Sequence, residues 1–163
     1  MAFNKNWSEW WHRFLDLSRD NSPQAVDILR QRYVEEMQQR DRLKQRAEKM
    51  HYPQFREKLQ QIAREKNEHA ERIGQKILAL DGTLPSVPEL RSTDNENSWQ
   101  QLTTALEEEA RSADHLAEQL RGIGSEHPEI THLLQQISAQ EKKHRADITH
   151  MLMRSDPFAY SLA

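Results

Sequence analysis

One helix face constrains this chain more than any other feature. In the stretch 133–151, positions 134, 137, 141, 144, 148 and 151 recur at alternating spacings of three and four, so they share one side of a helix. Leu134, Ile137, Ile148 and Met151 are apolar; the two residues in the middle are Glu141 and His144. A carboxylate in a buried stripe is costly unless it is paired or binds a cation. Glu-x-x-His is also the spacing that turns a carboxylate and an imidazole toward one metal in a helix bundle. Alone, the pair reads equally well as an ordinary Glu and His on a wet face. Its repetition is what gives it weight.

The repetition is internal. A shift of 75 pairs Leu59-Gln60-Gln61-Ile62 with Leu134-Gln135-Gln136-Ile137, His69 with His144 and Ile73 with Ile148. Upstream, a shift of 73 pairs Glu35-Glu36 with Glu108-Glu109, Asp41 with Asp114 and Leu43 with Leu116. Helical periodicity then predicts four long helices, about 23–50, 54–80, 99–122 and 129–154. Ser22 and Ser98 are candidate caps, Pro23 suits a first helical position, and Gly82 is a candidate stop. The stretch 83–97 holds two prolines and reads as a long connection without regular structure. Hairpin, long crossover and hairpin is an all-α, antiparallel four-helix bundle with one long connection. One domain is expected over 1–163: an extra N-terminal amphipathic helix within 1–20, the bundle over 22–154 and a tail over 155–163.

The composition agrees. With 36% hydrophobic and 30% charged residues and only four Gly, the chain suits long polar helices with narrow apolar seams. The absence of Cys excludes disulfides, thiolate zinc sites and Cys nucleophiles. A net charge of −3 with both signs interspersed gives no footprint for nucleic acid. No apolar run approaches the roughly 20 residues that span a bilayer, and charges interrupt any signal-peptide core, so a cytoplasmic protein is expected. No nucleophile-base motif or Gly-rich phosphate loop occurs. Trp7, Trp10, Trp11 and Phe14 make an apolar stripe over 6–19 whose flanking charges nearly cancel. That favours docking on the bundle or on a second subunit over a membrane surface, and with it a homodimer or larger homo-oligomer.

The seams of the other helices repeat the polar interruption. The first reads Val26, Leu29, Tyr33, Glu36, Arg40, Leu43, Ala47, Met50; the second Leu59, Ile62, Lys66, His69, Ile73, Ile77, Leu80; the third Leu102, Leu106, Glu109, Ala113, Leu116, Leu120. Glu36, Lys66, His69, Glu109, Glu141 and His144 would therefore meet at one depth around one axis. Here the sequence resembles the ferritin-like superfamily, its bacterioferritin and rubrerythrin branch in particular. The stretch 62–73, IAREKNEHAERI, followed by ILALDG at 77–82, looks like that branch's second helix and its exit. The resemblance covers about 25–152.

That resemblance implies a di-iron (possibly manganese) carboxylate site that handles iron with O2 or peroxide, as a non-haem ferroxidase or peroxidase-like oxidoreductase. By position, Glu36 and Glu109 would be terminal ligands, Glu141 would bridge, and His69 and His144 would each bind one metal. Glu108 is the alternative to Glu109. Asn67 stands near where a sulfur ligand would be expected, so no haem is implied. The departure is Lys66, which stands where the second bridging Glu belongs. Arg40 adds a second positive charge near Glu36. Glu65 could supply a carboxylate, but it lies about 100° round the helix from Lys66. Three readings of the site stay open. One is a di-iron or di-manganese site that tolerates Lys66, with Glu65 as a further ligand. The second is a partly degenerate site drawing on Glu36, Glu65, His69, Glu109, Glu141 and His144 that binds one metal or none, stabilised by Lys66 and Arg40. The third is a bundle whose seam charges share no site. The alternative to iron chemistry is a metal-free bundle acting as an interaction or structural module, with Lys66 and Arg40 replacing metal charge. Beside the seam, His115 and Asp147 are candidates to support the site or to stay on the surface, and Tyr33 to contact it or pack plainly.

Overall fold

A computed structural model describes residues 22–91 and 96–158. The expected N-terminal amphipathic helix and the last residues of the tail lie outside the described residues. Within them stand four helices: α1 (Ser22–Lys49), α2 (Pro53–Ala79), α3 (Ser98–Ile123) and α4 (Pro128–Met153). Each agrees with the periodicity to within a residue or two.

Helix α1 packs along α2 and α3 along α4, and the two hairpins meet through α1 with α3 and α2 with α4. Pro53 and Pro128 open α2 and α4, where a missing N–H costs nothing. Helix α3 is capped differently from expectation. Asn97 makes the cap, accepting from the Gln100 backbone N–H while the Gln100 side chain accepts from the Asn97 N–H. Ser98 instead uses its hydroxyl to accept from the His51 N–H at 3.0 Å, tying the start of α3 to the α1–α2 turn. At the exit of α2 the left-handed residue is Asp81 (φ 57°), not Gly82. The Gly82 N–H caps the Ile77 carbonyl at 2.9 Å. Gly82 is needed for space: a Cβ there would stand 2.9 Å from both Val26 and Ile77.

These two contacts trace the crossover. It leaves α2 beside Val26 near the start of α1 and reaches α3 beside His51 just past the end of α1. The connection therefore travels the length of the bundle, as a long link between like-directed ends must. Asp156 and Pro157 lie at the same end as His51, with the Asp156 N–H on the Tyr52 hydroxyl and the Asn97 amide on the Pro157 carbonyl.

The core is split. One apolar cluster gathers around Leu43, Met50, Leu59, Ile62, Leu102 and Ile148. The other gathers around Leu29, Ile73, Ile77, Leu116, Leu134 and Ile137. Between them in sequence on every helix lie the buried polar residues: Arg32, Glu36 and Gln39 on α1, Lys66 and His69 on α2, Glu109 and Ser112 on α3, Glu141 and His144 on α4. The seams of α1 and α3 differ in part from the expected ones. Along α1 the buried positions Ala25, Leu29, Arg32, Glu36, Gln39, Leu43 and Arg46, with Met50 just past its end, alternate by four and three; Ala47 is buried beside them. Tyr33 and Arg40 lie one position round, half-buried. On α3, Ala105, Ser112 and Gln119 take the places expected for Leu106, Ala113 and Leu120.

Candidate ion-network site

The polar layer is built from two or three residues of each helix, each at a point where a heptad position would otherwise carry Leu or Ile. Its centre is the Lys66 ammonium, fully buried. Nζ donates to Gln39 Oε1 at 2.5 Å and to Glu141 Oε1 at 2.8 Å. Glu109 Oε1 lies 3.2 Å away and Glu36 Oε2 3.9 Å. Carboxylates from α1, α3 and α4 thus converge on one ammonium from α2.

The second cation is Arg32, also fully buried. Its Nε donates to Glu36 Oε1 at 2.8 Å, and Nη2 donates to the same oxygen, to Ser112 Oγ at 2.7 Å and to Glu141 Oε1 at 2.8 Å. Nη1 reaches the Ser112 carbonyl and Glu35. Ser112 passes the contact on, donating to Glu141 Oε1 at 3.3 Å. Glu141 Oε1 is therefore the shared acceptor of both cations.

The two imidazoles line the α2–α4 side, ring centroids 6.0 Å apart and nearly parallel. His69 Nδ1 meets Glu36 Oε2 at 3.2 Å, while Nε2 meets Gln140 Oε1 at 2.5 Å. His144 Nε2 meets Glu65 Oε2 at 2.6 Å. Three buried atoms of the layer have no hydrogen-bond partner: Glu109 Oε2, Glu141 Oε2 and His144 Nδ1.

Burial alone would raise the Glu36 pKa; the Lys66 and Arg32 charges and the His69 hydrogen bond override it and hold the carboxyl well below its ordinary range. Burial opposes the charge on Lys66 and on Arg32 too, and the surrounding carboxylates reverse that and raise both. Glu109 goes the other way. Burial lifts it, Glu141 and Glu36 lift it further, and Lys66 only partly offsets them. The geometry explains why: Lys66 is closer to Gln39 and Glu141 than to Glu109. Burial and Lys66 lower His144, against the pull of Glu65. Glu65 itself is lowered: burial would raise it, but hydrogen bonds from His144 and Gln61 prevail. Glu36, Glu109 and Glu141 against Lys66 and Arg32 leave one formal negative charge.

Six expected residues are brought together: Glu36, Lys66, His69, Glu109, Glu141 and His144. Glu65 joins from the edge through His144. Glu108 does not; it makes a bidentate pair with the buried Arg46 at 2.8 and 2.9 Å. Arg40 is a correction. It bonds Asp41 and Asn67, each at 2.8 Å; the buried arginines of α1 are Arg32, which joins the network, and Arg46. His115 pairs with Glu35 at 2.5 Å. Asp147 sits 3.7 Å from Lys58, and Tyr33 packs over Gly74. Arg32, Gln39 and Ser112 were missed. The α1 pair had a signal, since Arg32 and Gln39 stand at i−4 and i+3 from Glu36 and so share its face.

Residues 46–155 match the sequence family of the ferritin-like domain. The chain belongs to the ferritin-like family. Solved structures agree on the fold. The dodecameric thioferritin of Bacteroides fragilis, a bacterioferritin-related protein, superposes with a TM-score of 0.75 at 17% identity, covering 82% of this chain and 86% of that one. The bacterioferritin of Desulfovibrio desulfuricans, a diiron protein, gives 0.75 at 15%, covering 82% and 81%. A ferritin-like diiron-carboxylate protein of Bacillus anthracis gives 0.69 at 18%, covering 82% and 98%. No curated protein sequence matches the chain.

A ferritin-like di-metal set needs a Glu from each of two helices and a Glu-x-x-His from each of the other two. Here α2 offers Lys66-x-x-His69, and the Lys66 ammonium stands where the carboxylates converge. Among the described residues, no group of three or more His, Asp or Glu side chains is spaced to hold a metal ion. The residues do not fit two metals.

Proposed function

We propose that this ferritin-like bundle works without a di-metal centre, as a structural or interaction subunit. Lys66 and Arg32 supply from within the chain the positive charge that metal ions supply in its diiron relatives. The observation that carries this reading is the Lys66 ammonium within 3.9 Å of carboxylates from three other helices. An ammonium there repels a dication and uses the lone pairs that would bind one. Charged pairs this deep persist when their members are hydrogen-bonded into a network, and most members here are.

A second reading keeps the family's chemistry: iron handled with O2 or peroxide at a residual site drawn from Glu36, Glu65, His69, Glu109, Glu141 and His144. It is favoured by the partnerless, buried Glu109 Oε2, Glu141 Oε2 and His144 Nδ1 and by the network's single excess negative charge. Metal analysis separates the two. Full-length protein grown with added iron or manganese should carry well under one equivalent per chain, with no absorbance change when Fe(II) is added in air. One or two equivalents would overturn the first reading. Lys66→Glu, which recreates the second Glu-x-x-His, should gain metal.

We further place the chain in the cytoplasm, as one domain in a homodimer or larger homo-oligomer. Among the described residues no helix is long and apolar enough to cross a membrane, and the Bacteroides fragilis relative is a dodecamer.

A further inference from the structure

The two seams between the hairpins are built differently. Along α2 and α4, side-chain bridges run from end to end: Lys58 to Asp147 at 3.7 Å, Glu65 to His144 at 2.6 Å, His69 to Gln140 at 2.5 Å, Arg72 to Gln136, and Lys76 to Glu129 at 2.6 Å. Every one has an exposed or half-exposed member. Bridges open to water contribute little, and their charged members weaken in salt. Beneath Arg72 and Lys76 the helices do not close on each other. A groove of about 480 Å³ runs between them, rimmed by Arg72, Lys76, Glu129 and Gln136 and floored by Leu133, which is only 5% exposed. On the α1–α3 side the bridging cations are themselves buried: Arg46 pairs with Glu108, and Arg32 donates to Ser112.

Behind the α2–α4 bridges stand the stacked rings of His69 and His144. His69 turns Nε2 out to the exposed Gln140 and Nδ1 in to Glu36. Glu36 in turn lies 3.9 Å from Lys66. One layer of imidazole therefore separates solvent-facing groups from the buried ions. Local openings cost least where the contacts holding a region shut are wet and apolar burial is sparse. We infer that the α2–α4 seam is the door of the ion network. The hairpins part along it, hinged on α1–α3, and admit water and small polar solutes to His69, His144 and Lys66 while every helix stays folded. The door requires no metal at the network, so it stands apart from either reading of the chemistry there.

The full chain has no Cys, so a single introduced thiol reports alone. Ile137→Cys puts it behind the seam on α4, and Ile73→Cys puts it there on α2. Ala105→Cys is the control, on the face of α3 that carries Glu108 and Ser112 toward α1. All three positions are at most 1% exposed. Under native conditions, thiols at 137 and 73 should react with iodoacetamide about tenfold faster than the thiol at 105. In about 1 M NaCl they should react severalfold faster again while the melting temperature stays put. Adding Arg72→Leu and Gln136→Leu, which fills the groove with apolar side chains, should slow labelling at 137 toward the control rate. Equal rates at all three positions overturn the inference. So does a rate at the seam that ignores salt, or one that matches global unfolding. Should one seam variant fail to fold, the other makes the same comparison from the opposite helix.

Discussion

At the scale of single residues, the network assigns unequal roles to similar side chains. Glu36 is held ionised by Lys66, Arg32 and His69, whereas burial and its acidic neighbours favour the neutral form of Glu109. Glu36→Gln should therefore cost roughly 3–5 kcal/mol, because it removes the carboxylate that Arg32, Lys66 and His69 share and leaves the buried cations in excess. Glu109→Gln should cost less, because burial and the neighbouring acids already work against the charge on Glu109, and the amide keeps its shape. Urea unfolding of both variants checks the contrast, and equal losses would refute it. Lys66→Met should also cost roughly 3–5 kcal/mol by leaving the carboxylates under-compensated.

The pH response follows from the same groups. Glu36 and His144 are depressed in the folded state, so the unfolded chain binds protons more readily, and stability falls as pH drops below about 6.5, the ordinary His value. Glu109, raised, acts in the opposite sense and softens the acid limb. Lys66, raised, contributes stability that is complete below about pH 10.4 and lost only in strong alkali. Thermal melts from pH 8 to 4 should show a fall beginning near 6.5, and His144→Gln should move its onset lower.

Which residues meet was only partly legible. Lys66, His69, Glu141 and His144 stood out because each interrupts an apolar run at helical spacing. Arg32 did not, because Tyr33 and Arg40 complete an equally plausible stripe one position round α1. Choosing between the stripes needs the partner helices: Ser112 and Glu141, which come from another hairpin, are what draw Arg32 inward. Glu65 bonded to His144 was illegible for the same reason, since the contact joins residues 79 apart.

At the scale of elements, the helices were legible almost to their ends because proline and glycine punctuate them, while the capping chemistry was not. Ser98 is as good a cap as Asn97 in sequence; the backbone of His51, distant along the chain, claims its hydroxyl. Asn97→Ala should cost about 1 kcal/mol through the lost cap, measurable as a lower denaturation midpoint with an unchanged slope. Ser98→Ala leaves the α3 cap intact and should instead loosen the α1–α2 turn, seen as faster exchange of the His51 amide. Gly82→Ala forces a methyl against Val26 and Ile77 and should cost about 1–3 kcal/mol.

At the scale of the whole molecule, two apolar halves are joined by one charged layer. That layer spans both diagonals of the bundle, Arg32 of α1 to Glu141 of α4 and Lys66 of α2 to Glu109 of α3. Because these ions are buried, added salt should barely screen them. The melting temperature in 1 M NaCl should stay near its low-salt value, and a large drop would place the stabilising charges on the surface instead.

The placement of that layer has a consequence for how the bundle can err. A helix that slides by one heptad keeps its greasy side inward, at a displacement of about 10 Å, so oily contacts alone tolerate the mistake. In α1 such a slip would carry Leu29 or Leu43 into the seat of Glu36 and push the carboxylate among hydrocarbon. The mispaired assembly then holds naked ions with nothing to answer them, and the correctly threaded one is the sole alignment in which every helix finds its opposite charge.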